Sequence, residues 1–256
     1  MLKNTALRTI LVSVALGLAS PTLHADVVVE SALHVLDLEI HPFTGTIEFI
    51  PPRTGVVILT RAYNSTGGFI QALLKSLSPP VSLNVMVPGI HTEAVGNPSQ
   101  QTGSVSGGMN LSNTVSGGGN ASSILHGPFE IAGVTGPVSV SFSVMLSGSQ
   151  SLDTSGGGRN ASSDLSFDLK INGNSLLPFN SLLQIGSNNS ASNSISQTLT
   201  GSLTLDGETP YTLDSRLAYQ GLGNVPEPSF FILLGAGLGG MFLARSIRGR
   251  SFTMKG

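Results

Sequence analysis

The sequence predicts a mainly β protein: an antiparallel, β-sandwich-like body with one short helix, preceded by a signal peptide and followed by an apolar transmembrane helix. Three observations predict it. Six stretches alternate apolar and polar residues with a period of two, which on a strand puts one face in a core and the other in water. Gly- and Asn-containing turn dipeptides fall between or at the ends of these stretches. Charged residues are only 10% of the chain, Cys and Trp are absent, and Gly reaches 32 of 256 residues. That composition favours small-residue sheets and excludes disulfides, thiolate zinc sites and cysteine nucleophiles.

Met1 to Ala25 has the layout of a secretory signal peptide. Lys3 and Arg8 provide a basic start, Ile10 to Ala19 an apolar run, and Ala25 the cleavage position. The run is short for a membrane span, so a permanent N-terminal anchor is the weaker alternative.

The body, residues 26–224, carries the alternating runs. Leu36, Leu38 and Ile40 alternate with Asp37, Glu39 and His41. Thr54 to Thr60 forms a more continuously apolar strand. Gly68 to Leu77 alone reads as a helix, with Phe69, Ile70, Leu73, Leu74 and Leu77 on one face and Pro79-Pro80 as the stop. Val81 to Val87, Val138 to Leu146, Asp164 to Ile171, Ile195 to Leu205 and Tyr211 to Tyr219 are the other alternating runs. Asn172-Gly173 ends one of them in a hairpin turn, and Asp206-Gly207 reads as a second hairpin turn between the last two. A run of antiparallel strands around one core is the economical arrangement for about 200 residues.

Residues 96–123 have another texture. Ser104 to Asn110 (SVSGGMN) is echoed by Thr114 to Asn120 (TVSGGGN), and Asn120-Ala-Ser-Ser123 recurs as Asn160-Ala-Ser-Ser163. Three readings suit this self-similarity: flexible Gly/Ser/Asn loops, duplicated hairpins, or turns of a small solenoid. The loop reading is preferred, since the spacings are unequal and too few for an array.

Residues 225–256 organise the chain's handling. Val225-Pro226-Glu227-Pro228 is a stiff polar junction, Ser229 to Ala244 is uncharged and apolar on every side, and Arg245, Arg248 and Arg250 follow at once. Sixteen helical residues span about 24 Å, close to a ~30 Å hydrocarbon layer once arginines snorkel. The basic cluster places the C-terminus on the cytoplasmic side. Gly235-Ala-Gly237-Leu-Gly239-Gly240 satisfies G-x-G-x-x-G but lacks the acidic residue a dinucleotide site needs, and reads as a helix-packing face.

This three-part pattern resembles the PEP-CTERM sorting signal of Gram-negative bacteria. The resemblance covers about the last 30 residues. It implies recognition by an exosortase, a membrane-embedded cysteine transpeptidase, with cleavage near Pro226, Glu227 and Pro228. It also implies a bacterium that makes exopolysaccharide, and a destination at the cell surface or in the matrix. The other partners it calls for are the Sec translocon, signal peptidase and, before processing, the inner membrane.

Charge supports the division. The whole chain has 12 basic and 14 acidic residues. Lys3, Arg8, Arg245, Arg248, Arg250, Lys255 and Glu227 lie in the two ends, leaving the body six basic and thirteen acidic residues, about −7. Such a body has no electrostatic footprint for nucleic acid.

Catalytic motifs are not found: there is no G-x-S-x-G, S-x-x-K or H-E-x-x-H. His34, Asp37, Glu39 and His41 form the one conceivable metal cluster, but period-two parity puts His34 on the opposite face from the other three. Asp153, Asp164 and Asp168 would serve calcium only if the fold brought them together. Three function classes remain: a non-enzymatic surface or matrix protein, which is the preferred reading; a carbohydrate-binding module, weakened by the absence of Trp and the presence of only three Tyr; and a secreted hydrolase, for which no carboxylate pair or nucleophile is evident.

Overall fold

The computed structural model describes residues 26–50, 55–76, 80–97, 101–112, 115–155 and 159–225. Within them the chain forms thirteen strands and no helix. These are β1 (Asp26–Pro42), β2 (Thr46–Phe49), β3 (Gly55–Asn64), β4 (Phe69–Ser76), β5 (Val81–Val87), β6 (Ile90–Asn97), β7 (Thr102–Ser112), β8 (Gly117–Ala132), β9 (Gly136–Asp153), β10 (Asn160–Ile171), β11 (Asn174–Ile185), β12 (Ser190–Gly207) and β13 (Tyr211–Asn224). They build two antiparallel sheets. One has the order β12-β9-β1-β7-β6-β5; the other runs β11-β10-β13-β8-β3-β4, with β2 pairing the far end of β8. The inner faces of the two sheets form the core, as the alternating runs require.

Four expectations are corrected. Gly68 to Leu77 is not a helix: β4 occupies Phe69–Ser76 and pairs with β3 from Tyr63↔Phe69 to Val56↔Ser76. An isolated helix of that length is marginal in water, whereas a strand satisfies the open edge of β3. Asn64 favours the hairpin, because its Oδ1 accepts from the Gly68 amide at 2.9 Å and the Thr66 hydroxyl at 2.8 Å. Second, residues 96–123 are mostly strand, in β7 and β8, rather than loop. The repeated Asn-Ala-Ser-Ser opens β10 and follows the three glycines that open β8, on either side of β13, each copy placing Ala and the second Ser in the core.

Third, Asp206-Gly207 is not a hairpin turn. β12 belongs to one sheet and β13 to the other, so this segment carries the chain across the core. The Glu208 amide donates to the Ile131 carbonyl at 2.9 Å, which pins the crossing to β8. Asn172-Gly173, by contrast, joins β10 to β11 as expected, with φ of 49° and 81° and Ile171 paired to Asn174. Fourth, a bulge in β1 leaves Leu36 unpaired between Val35↔Leu146 and Asp37↔Met145. One extra residue reverses the strand's parity. Val27, Val29, Leu33 and Val35 therefore point inward before it, and Leu38 and Ile40 after it, while Leu36 is exposed.

Two apolar clusters fill the sandwich. The larger holds Leu33, Ile58, Phe129, Phe142, Phe167, Leu217 and Tyr219; the smaller holds Val27, Val29, Val87, Met109, Leu111 and Val225. Val225, grouped with the tail by sequence, is thus a core residue of the body, 1% exposed. A buried polar clasp crosses between the sheets. The Gln150 amide of β9 donates to the carbonyls of Ser163 and Ser181, both at 2.9 Å, and its oxygen accepts from the Ser181 hydroxyl at 2.6 Å. Ser31 and Ser163 add a hydroxyl pair at 2.7 Å beside it. Tyr219 is fitted by glycines: a Cβ at Gly107 or Gly221 would overlap its ring or hydroxyl.

Candidate functional site

The sorting residues named from the sequence lie outside the described residues: Ala25, Pro226, Glu227, Pro228, Arg245, Arg248 and Arg250, together with the apolar segment 229–244. Among the described residues no helix is long and apolar enough to cross a membrane. The last described residues, however, are firmly held. β13 runs to Asn224, Val225 is sealed into the core, and the Ser116 hydroxyl donates to Asn224 Oδ1 at 2.9 Å. The Arg159 amide donates to the Asn224 carbonyl at 2.9 Å. The chain is held on both sides up to the residue before Pro226.

Among the described residues, a cleft of about 910 Å³ lies beside Asn224. It crosses the outer face of the second sheet along one register row: Gln184 on β11, Ser162 on β10, Leu222 on β13, Gly118 on β8 and Tyr63 on β3. Asn160 and Asn224, paired directly across β10 and β13, and Ser65 and Ser116 complete the polar lining. Glycine makes the concavity. A Cβ at Gly118 would stand 2.7 Å from the Tyr63 hydroxyl and 2.8 Å from a Leu222 methyl. Among the described residues no Asp, Glu, Lys, Arg or His lines this cleft. Its chemistry is amide and hydroxyl hydrogen bonding with one aromatic ring alongside, which suits a neutral, hydroxyl-rich ligand better than an ion.

A second groove of about 570 Å³ lies on the outer face of the first sheet. Gly108 of β7 forms its floor between Glu30 of β1 and His91 of β6, and Met86 of β5 extends the row. His91 lies over Gly108 so closely that a Cβ there would overlap its ring. Sequence reading missed this juxtaposition, because Glu30 and His91 are brought to one row only by strand pairing.

The carboxylates proposed for calcium are not gathered. Asp153 ends β9 in the first sheet; Asp164 and Asp168 stand four residues apart on β10 in the second, roughly 13 Å at strand spacing. Each has its own surroundings. The Ser155 hydroxyl and then its amide, 2.7 Å away, hold the Asp153 carboxyl below its ordinary pKa. Asp168 accepts from Ser175 at 2.6 Å and pairs with Lys170 at 3.3 Å. Burial pushes the Asp164 carboxyl up, and among the described residues neither its Oδ1 nor that of Asn120 in the same shallow depression has a hydrogen-bond partner.

The bulge corrects the parity argument for the histidines. His34 shares the exposed outer face with Asp37, Glu39 and His41. His41 and Glu39 form an exposed pair at 3.2 Å. Even so, among the described residues no three His, Asp or Glu side chains are placed to hold a metal ion. Register also joins His126 of β8 to Asp214 of β13 in a hydrogen-bonded pair on the outer face, 88 residues apart in sequence and without a motif to announce it.

Comparison of the chain with protein-family models, with curated proteins and with solved structures finds no match to any of them.

Proposed function

We propose that this chain is an exported, non-enzymatic bacterial surface or extracellular-matrix protein, associated with exopolysaccharide, whose β body is delivered by its leader and sorted through its C-terminal signal. The observation that carries the reading is the order Pro226-Glu227-Pro228, apolar segment 229–244, then Arg245, Arg248 and Arg250. Two prolines without amide protons keep the junction extended and open to a processing enzyme. Supporting it, Val225, the last described residue, is packed in the core, so cleavage beyond it would leave the described core whole. An exosortase, the Sec translocon and signal peptidase are the handling partners on this reading, with export across the inner membrane and transient anchoring there.

Replacing Pro226, Glu227 and Pro228 with alanine tests it in the native host. The expected result is a protein that stays in the membrane fraction at unprocessed mass. Release of the variant at the wild-type rate would sink the reading.

A second reading, glycan binding by the body, is favoured by one observation: the cleft beside Tyr63, whose described polar lining is amide and hydroxyl. It and the matrix role are compatible. Affinity electrophoresis in gels containing the host's exopolysaccharide should retard the wild type, and Tyr63→Ala with Asn224→Ala should remove most of that retardation. Equal mobility with and without polysaccharide would refute this second reading and leave the sorting role untouched.

A further inference from the structure

β12 is an unusual strand. It runs 18 residues, Ser190–Gly207, roughly 60 Å at strand spacing, where most strands have three to ten residues. It pairs with β9 through eighteen consecutive partners without a register shift. Among the described residues β9 is its only neighbour in the sheet, so its other side presents a long row of backbone donors and acceptors, capped near its end where the Asp206 amide donates to the Tyr211 hydroxyl at 2.7 Å.

Natural sheets guard such edges with charge, proline, bulges or brevity. The other three edges have these devices. β4 carries Lys75. β5 is seven residues long and is bracketed by Pro80 and Pro88. β11 contains Pro178 and has a register shift near its start, where Leu177 and Ser175 oppose Leu169 and Lys170. β12 has no proline, no bulge and no charge before Asp206.

The side chains of β12 fit a copy of itself. Its outward positions are Ser190, Ser192, Ser194, Ser196, Thr198, Thr200, Ser202 and Thr204, all exposed. An antiparallel copy related by a twofold axis at Thr198 would set Ser196 against Thr200 and Ser194 against Ser202, hydroxyl facing hydroxyl. The inward set would place Ile195 opposite Gly201 and Asn193 opposite Leu203. Leu203 is 38% exposed, and Leu199, Leu176 and Phe179 are half-buried, so a partner strand here has apolar surface to cover. The body's net charge of about −7 opposes self-association elsewhere, but no charge lies on this edge until Asp206.

We propose that β12 is a self-association edge, on which a second copy of this chain adds antiparallel through its own β12 to join two six-stranded sheets into one of twelve. A twofold edge contact of this kind is isologous and closes at the dimer. An unguarded 18-residue edge calls for an equally long, uncharged partner strand, and among the described strands of this chain only β12 has that length free.

The chain has no cysteine, which allows a direct test on the full-length protein. Thr198→Cys sits at the twofold axis; Gln71→Cys, exposed on β4, is the control. After mild oxidation in detergent, Thr198→Cys should run mainly as a disulfide-linked dimer on non-reducing gels, and Gln71→Cys mainly as monomer. In the Thr198→Cys background, Ser196→Lys with Thr200→Lys should cut cross-linking at least tenfold, while circular dichroism stays unchanged because both positions face solvent. Equal cross-linking at positions 198 and 71 would assign association to the tail and overturn the proposal. So would a monomeric, uncross-linked Thr198→Cys chain at high concentration, the outcome expected if another segment of the same chain covers β12.

Discussion

Individual residues carry the sharpest predictions. The Tyr219 hydroxyl is buried in the core with no hydrogen-bond partner among the described residues, and burial pushes its pKa well above the ordinary 10. An unpaired buried hydroxyl costs about 1–3 kcal/mol. Tyr219→Phe should therefore stabilise the body by about 1 kcal/mol in a denaturant titration, the small void near Gly221 offsetting part of the gain. A loss of stability would mean the hydroxyl is satisfied. Gln150 is the opposite case. Gln150→Leu strands the Ser163 and Ser181 carbonyls and should cost about 2–4 kcal/mol, read as a lower urea midpoint at unchanged slope. Asp164 governs a pH effect. Its folded pKa lies above the ordinary 3.8, so the native state favours the protonated form. Its ionisation penalty is present above the folded pKa and is relieved as pH falls through it. Asp164→Asn should thus raise the melting temperature at pH 7, with the gain shrinking toward pH 4. An effect that grew on acidification would reverse the sign and refute the account. None of these three was visible in the sequence, because Tyr219 and Gln150 depend on what the opposite sheet brings to them, and Asp164 on the neighbouring strands of its own sheet.

At the scale of elements, local chemistry decided some outcomes and pairing decided others. Asn172-Gly173 is a two-residue turn with both φ positive, which glycine tolerates without a Cβ penalty. Gly173→Ala, at φ 81°, should cost about 1 kcal/mol by thermal melting while leaving the neighbouring hairpin register intact. Asp206-Gly207 has similar letters but a different neighbour: β12 and β13 lie in separate sheets, so the same dipeptide became a crossing. The stretch 69–76 had apolar residues at helical spacing, yet β3 needed a partner and drew it into a hairpin. In that hairpin Arg61 sits over the rings of Tyr63 and Phe69, at 5.3 and 4.9 Å, which covers part of an exposed apolar edge. The bulge at Leu36 is the element with the widest reach. One unpaired residue moved His34 to the face where Asp37, Glu39 and His41 stand, and period-two counting has no means of locating it.

For the molecule as a whole, the proposed role joins two kinds of information. The proposed leader around Ala25 and the proposed signal built on Pro226, Glu227, Pro228, Arg245, Arg248 and Arg250 are linear patterns of the sequence, so they are legible without a fold. The sandwich was legible for the same reason: alternation of small apolar and hydroxyl residues commits each strand to one buried face, whatever its partners. Strand order, sheet membership and register were not, because they follow from contacts between residues such as Gln150 and Ser181, or His126 and Asp214, that are distant in sequence. The cleft beside Tyr63 and the unguarded edge of β12 both arise at that level. Sequence by itself determined a β body and proposed its route out of the cell, since those depend on local periodicity and linear signals. Only the tertiary structure decided which faces and edges the body presents, since a face exists only once strands have chosen their neighbours.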